Sequence, residues 1–140
     1  MSARVVVGVD GSEASLDALR YAVRLATLLR GGLTVVAAWQ YPVSYGLVAL
    51  PAGLDVEADT RGMVEAAVRT AAGEEPEVPV DISVVEGHPA AVLVRAAEGA
   101  DLLVVGSRGH GAFAGMLLGS VSTHCAQRAP CPVLIVRHPE

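Results

Sequence analysis

Residues 4–15 read RVVVGVDGSEAS. A short β-branched run stops at Asp10-Gly11-Ser12, and a helical pattern begins at once. Ser12 is placed to cap that helix, with Glu13 in a first turn whose dipole favours an anion. Leu16, Leu19, Val23, Ala26 and Leu29 recur at helical spacing, and Gly31-Gly32 is expected to end the helix. Residues 33–39 (LTVVAAW) follow as a second buried strand. Strand, tight turn, helix and strand make a β-α-β unit, which implies a parallel pair and a covering helix.

The rest of the chain repeats that alternation. Residues 40–54 hold Pro42, Gly46, Pro51 and Gly53 and read as a long loop. A more polar helix is expected over 55–72, with Met63, Ala66, Ala67 and Val68 facing the core. Residues 80–85 (VDISVV) form a third strand, and Gly87-His88-Pro89 opens a third helix whose apolar face is Val92, Leu93 and Ala96. His88 reads there as a turn residue. Residues 102–105 are a continuous apolar strand, a last helix runs from about 120 to 128, and residues 132–137 (PVLIVR) are a fifth strand.

This order predicts an α/β fold, a doubly wound five-stranded parallel sheet of order 3-2-1-4-5 with helices on both faces. The whole chain reads as a single domain. The winding reverses between strands 1 and 4, and ligands bind beyond the carboxyl ends of strands at such a point.

Composition limits the function. In 140 residues, 52% are apolar and 18% charged, which suits one buried core rather than a disordered segment. The net charge of -5 repels nucleic acid and anionic membranes on average, so neither is an expected partner. All ten basic residues are arginine, so no mechanism can use a lysine. No apolar run approaches the roughly 20 residues of a membrane helix. No signal-like segment precedes the first strand, and Cys125 and Cys131 have five residues between them, in neither a redox nor a zinc spacing. The expected location is cytoplasmic, with both thiols reduced and no metal site.

Two features fall on the loops that meet at the switch point. Asp10 ends strand 1, and its acceptor-only carboxylate suits ribose hydroxyls. The glycine-rich stretch from Gly106 to Ser120 ends strand 4 and opens the last helix, where backbone approach and free N–H groups suit a phosphate. Taken alone, each is equally readable as a turn. Competing motifs fail: a P-loop needs Gly-Lys-Ser/Thr, and a dinucleotide fingerprint needs GxGxxG where the chain has Gly8-Val9-Asp10-Gly11-Ser12. Ser107 lies in no GxSxG elbow. Trp39, at the end of strand 2, is expected in the core rather than in the wall of a site.

Gly106, Gly109, Gly119 and Ser120 spell G-x2-G-x9-G-S within GSRGHGAFAGMLLGS. That pattern resembles the ATP-binding signature of the universal stress protein family. The stretches VVVGVDGSEAS, VVEGHPAAVL and GSVSTHCAQRAPCPVLIV resemble the same family, in order, over nearly the whole chain. The resemblance implies an adenine nucleotide alpha hydrolase-like fold and a crevice holding ATP, with Mg2+ or Mn2+. It places Asp10 at the ribose, Gly8 against the nucleotide and the backbone around Ala38 at the adenine. Gly109, Gly119, Ser120, Val121 and Ser122 would hold the phosphates, with Arg108 and His110 adding charge and Gly106 completing the cofactor-binding set. It further implies a homodimer through the last strand (Val133, Leu134, Ile135, Val136), and regulatory nucleotide binding in stress responses rather than efficient catalysis. Slow ATP hydrolysis or autophosphorylation at Ser120 or Ser122, cyclic AMP binding, and a nucleotide-free dimeric scaffold remain as alternatives.

Overall fold

The computed structural model describes residues 2–41, 55–109 and 118–138. Along them run β1 (Arg4–Gly8), α1 (Glu13–Leu28), β2 (Gly32–Trp39), α2 (Val56–Ala72), β3 (Val80–Glu86), α3 (Pro89–Ala96), β4 (Leu102–Gly106), α4 (Ser120–Arg128) and β5 (Val133–Val136). The sheet is all parallel, in the order β3-β2-β1-β4-β5.

Side-chain alternation assigns the helices to their faces. From β1, Val5 and Val7 point to one face and join Ala18, Leu19 and Ala22 of α1 and Val64 and Val68 of α2. Val6 points to the other, with Val36, Leu103 and Val105, and meets Val92 and Leu93 of α3 and Cys125 of α4. β1 is buried on both faces, which is why it reads as unbroken valine rather than as an alternating strand.

Local signals explain most boundaries. The Ser12 hydroxyl accepts from the Ser15 N–H at 3.2 Å and starts α1. Asp55 does the same for α2, accepting from the Ala58 N–H at 3.0 Å. His88 is more than a turn residue: its Nδ1 accepts from the Ala90 N–H at 3.3 Å and caps α3. Glycine turns out not to end α1. Its left-handed residue is Arg30, at φ 53, and Gly31 is needed for space. A Cβ built there would lie 2.1 Å from the Ala3 carbonyl oxygen.

Two expectations about packing need correction. In α2, Met63, Ala67 and Val68 face the core as expected, but Val64 is its most buried residue and Ala66 is exposed. Trp39 joins neither core cluster and packs edge-on against Tyr41, with ring centroids 5.2 Å apart. The expected loop at 40–54 lies outside the described residues from 42 onward. Among the described residues, no helix is long and apolar enough to cross a membrane.

Candidate functional site

A cleft of about 400 Å3 opens at the carboxyl ends of β1 and β4, where the winding reverses. Its lining includes Gly8 and Asp10 from the end of β1, Ala38 from β2, Gly106, Arg108 and Gly109 after β4, and Gly119, Ser120, Val121 and Ser122 at the start of α4. Ten of the residues singled out from the sequence thus share one cavity. His110 lies outside the described residues. Asp10 and Arg108 are the charged side chains among the described lining.

One end of the cleft is an apolar slot. Val36, Val105, Pro89 and Leu93 wall it, and Gly8 forms part of its floor. A Cβ at Gly8 would lie 2.7 Å from Leu93 Cδ1, so a side chain at this position would press into the slot wall. Backbone parity supplies the polar edge. The Val36 carbonyl accepts from the Val9 N–H, and the Trp39 carbonyl accepts from the Gly87 N–H, so even-numbered residues of β2 face β1 and odd-numbered ones face β3. β1 pairs only as far as Gly8 opposite Val36. The N–H and C=O of Ala38 therefore face the space beyond the end of β1, side by side, as one donor and one acceptor.

The other end is built from backbone. α4 begins at Gly119 without a side-chain cap, so its first turn presents N–H groups that have no intrahelical acceptor. The Gly119 N–H itself is used, donating to the Ser107 carbonyl at 2.6 Å. Ser122 is buried, and its hydroxyl lies 2.9 Å from the Ser107 carbonyl and 3.0 Å from that of Gly119. These bonds close the base of the glycine loop on the helix start. They give the Ser122 hydroxyl a structural task, whereas that of Ser120 is exposed. Gly106 also has a structural reason: a Cβ there would lie 2.9 Å from the Ala14 carbonyl oxygen.

Asp10 sits between the two ends. Gly11, at φ 86, folds the chain back so that the Ser12 N–H donates to Asp10 Oδ1 at 2.9 Å. The Ser12 hydroxyl bonds to the same oxygen, and the Asp10 N–H donates to Ser15 Oγ at 3.2 Å.

The cysteine and histidine residues late in the chain stand apart from this cleft. Cys125 is buried in the core, and burial pushes its thiol up to about 11. His124 is exposed on α4. Among the described residues, no three His, Cys, Asp or Glu side chains gather closely enough to hold a metal ion.

The family model for universal stress proteins matches residues 1–137. The chain belongs to the universal stress protein family. Among curated universal stress proteins, Rv2623 of Mycobacterium tuberculosis is 42% identical over 139 residues, covering 96% of this chain and 45% of the relative. Another from that species, Rv2005c, is 41% identical over 140 residues, again covering 96% of this chain and 45% of the relative. The chain spans about half the length of the curated relatives it matches. A solved universal stress protein in complex with cAMP is 34% identical, with a TM-score of 0.71 over 96% of this chain and 95% of that one.

Pro89, Leu93, Val36, Val105 and Ser15 line the cleft without having been picked out as site residues. Their signal in the sequence is core hydrophobicity or a helix start. Their meeting in one cleft comes from four elements, α1, β2, α3 and β4, that are distant along the chain.

Proposed function

We propose that this universal stress protein binds an adenine ribonucleotide, with ATP as its principal ligand, and works as a nucleotide-dependent regulatory module. The observation that carries this reading is a single cleft whose lining groups follow the strand order β2, β1, β4. A paired backbone donor and acceptor at Ala38 comes first, then the Asp10 carboxylate, then the uncapped start of α4. That order matches base, ribose and phosphates. Ala38 would read the adenine edge while Val36, Val105, Pro89 and Leu93 cover its faces. The N–H groups of Ser120 and Val121 would hold phosphate oxygens, with Arg108 adding positive charge. A divalent cation, Mg2+ or Mn2+, would be carried on the phosphates.

The reading is binding rather than turnover. Phosphoryl transfer needs a charge clamp and a positioned nucleophile. The chain has no lysine, and the Ser122 hydroxyl is engaged with two carbonyls. If slow autophosphorylation occurs, Ser120 is the acceptor these bonds favour.

Calorimetric titration with ATP plus Mg2+, cAMP and adenosine tests the proposal. Micromolar ATP binding, tighter than that of adenosine, is the expected result. A folded protein that binds none of the three overturns it. Preference for cAMP would support the second reading, which the 34% identical structure in complex with cAMP favours.

The same proposal includes a homodimer through β5. β5 is an edge strand, and its four residues are apolar and half-buried. The carbonyls of Pro132 and Val136 face β4, so the backbone groups of Val133 and Ile135 face the open edge. Ile135→Pro removes one outward donor and spares the β4 ladder. Sedimentation should show a dimer for the natural chain and a monomer for the variant. A natural chain that sediments as a monomer at tens of micromolar would sink the dimer.

A further inference from the structure

The surroundings of Asp10 carry a more specific inference, which rests on the ribonucleotide reading above. Both oxygens of its carboxylate are constrained. Oδ1 is held by the N–H and hydroxyl of Ser12. Oδ2 lies against Gly109: a Cβ built on Gly109 would be 2.5 Å from Oδ2, with Asp10 Cγ next at 3.7 Å. The crowding at Gly109 therefore comes from the Asp10 side chain. Among the described residues, no atom of the start of α4 lies within 4 Å of that Cβ. Gly119 differs, since a Cβ there would meet the backbone of Arg108, Gly109 and Ser107 at 3.3 to 3.5 Å.

We propose that Ser12 and Gly109 are positioning residues for the Asp10 carboxylate, Ser12 gripping one oxygen and Gly109 leaving room for the other. Ser12 then does two jobs, capping α1 and fixing the plane of the ribose acceptor. Gly109 contributes to nucleotide binding through Asp10 rather than by close approach to a phosphate. The first residues of the glycine loop and the ribose end of the cleft are read through one side chain. Displacement of either is felt by the other.

A double-mutant cycle separates this from a direct phosphate role. ATP affinity is measured by calorimetry, with Mg2+ present, for the natural chain, Gly109→Ala, Asp10→Ala and the double variant. Gly109→Ala should weaken ATP by about 10-fold in the natural background, the worth of a misplaced charged hydrogen bond. After Asp10→Ala has removed the obstructing carboxylate, the same change should alter affinity by less than about 3-fold. Independent residues would instead add to within about 2-fold. Additive losses in a chain that binds ATP overturn the role of Gly109.

Ser12 is tested by ribose selectivity, which does not depend on Gly109→Ala folding. The natural chain should prefer ATP over its 2′-deoxy and 3′-deoxy analogues by about 10-fold for whichever hydroxyl Asp10 accepts. Ser12→Ala should shrink that preference several-fold, and Ser12→Thr should restore it. Lost helix capping alone would lower thermal stability and leave the preference unchanged, and that outcome overturns the role of Ser12. A natural chain that binds ATP and both deoxy analogues equally overturns the whole lock. One that binds no adenine nucleotide removes the ribonucleotide reading beneath it.

Discussion

Replacing Gly31 with alanine is expected to lower stability by about 3 kcal/mol, the upper range for overpacking without room to relax. For a chain of this size the midpoint of thermal unfolding should fall by roughly 10 °C. The added methyl would sit 2.1 Å from the Ala3 carbonyl oxygen and 2.8 Å from its carbonyl carbon. Both sides of that clash are backbone, so no rotamer change relieves it. Nor can the backbone move cheaply, because the adjacent Gly32 N–H donates to the same Ala3 oxygen at 2.9 Å and opens the β1–β2 ladder. The Gly31 N–H is tied as well, to the Ala26 carbonyl at 3.0 Å. Gly62→Ala is the matching control. Gly62 lies within α2 with no described residue inside 4 Å of its missing Cβ, so alanine there should add about 1 kcal/mol through helix propensity. Chemical unfolding of both variants reads the two signs. A Gly31→Ala chain within about 0.5 kcal/mol of the natural one would show that close approach is not why glycine stands there.

The close approach at Gly31 also shows which features of this molecule can be read from its sequence. The strand and helix order was legible because valine runs and helical spacing are local patterns. The sheet order then followed from crossover rules rather than from any one residue. Asp10 and the glycines after β4 were legible as candidates because each ends a strand, and the winding reversal brings such ends together. What could not be read is what each glycine is for. Gly31, Gly106 and Gly109 look alike in sequence, yet they give way to the Ala3 backbone, the Ala14 backbone and the Asp10 carboxylate respectively. Those neighbours are distant along the chain, so no local pattern encodes them. The same holds for the slot wall. Leu93 reads as the apolar face of a helix, and it is that, but its outer carbons also border the cleft beside Gly8. Ser122 belongs to the loop pattern by spacing alone, and its hydroxyl turns out to brace the loop base. The end of α1 misled for a physical reason: Gly31-Gly32 resembles a glycine cap, while Arg30 takes the left-handed conformation itself.

Gly119→Asp separates the stability of α4 from the anion site it is proposed to form. Gly119 has φ -76 and ψ 171, an extended cap conformation open to any residue, and no side chain now caps the helix. Aspartate is among the favoured N-cap residues and is better than glycine by a few tenths of a kcal/mol. The neighbouring backbone of Arg108, at 3.3 Å from the new Cβ, must give slightly, so the net change in stability should be close to zero. Binding should respond very differently. The new carboxylate would accept from the same first-turn N–H groups that the phosphates require. It would also set a negative charge beside a polyanion. Two unit charges about 5 Å apart at an effective dielectric of about 20 repel by roughly 3 kcal/mol, which is more than 100-fold in affinity. Adenosine, with no phosphate, should lose less than about 3-fold, because the slot and Asp10 are untouched. Calorimetry of ATP and adenosine against the folded variant gives both numbers. A large loss for ATP alone places the phosphates at the start of α4. Equal losses for the two ligands would mean that the variant distorts the whole cleft. No loss for either would put the phosphates elsewhere and leave the uncapped start of α4 without a ligand to explain it.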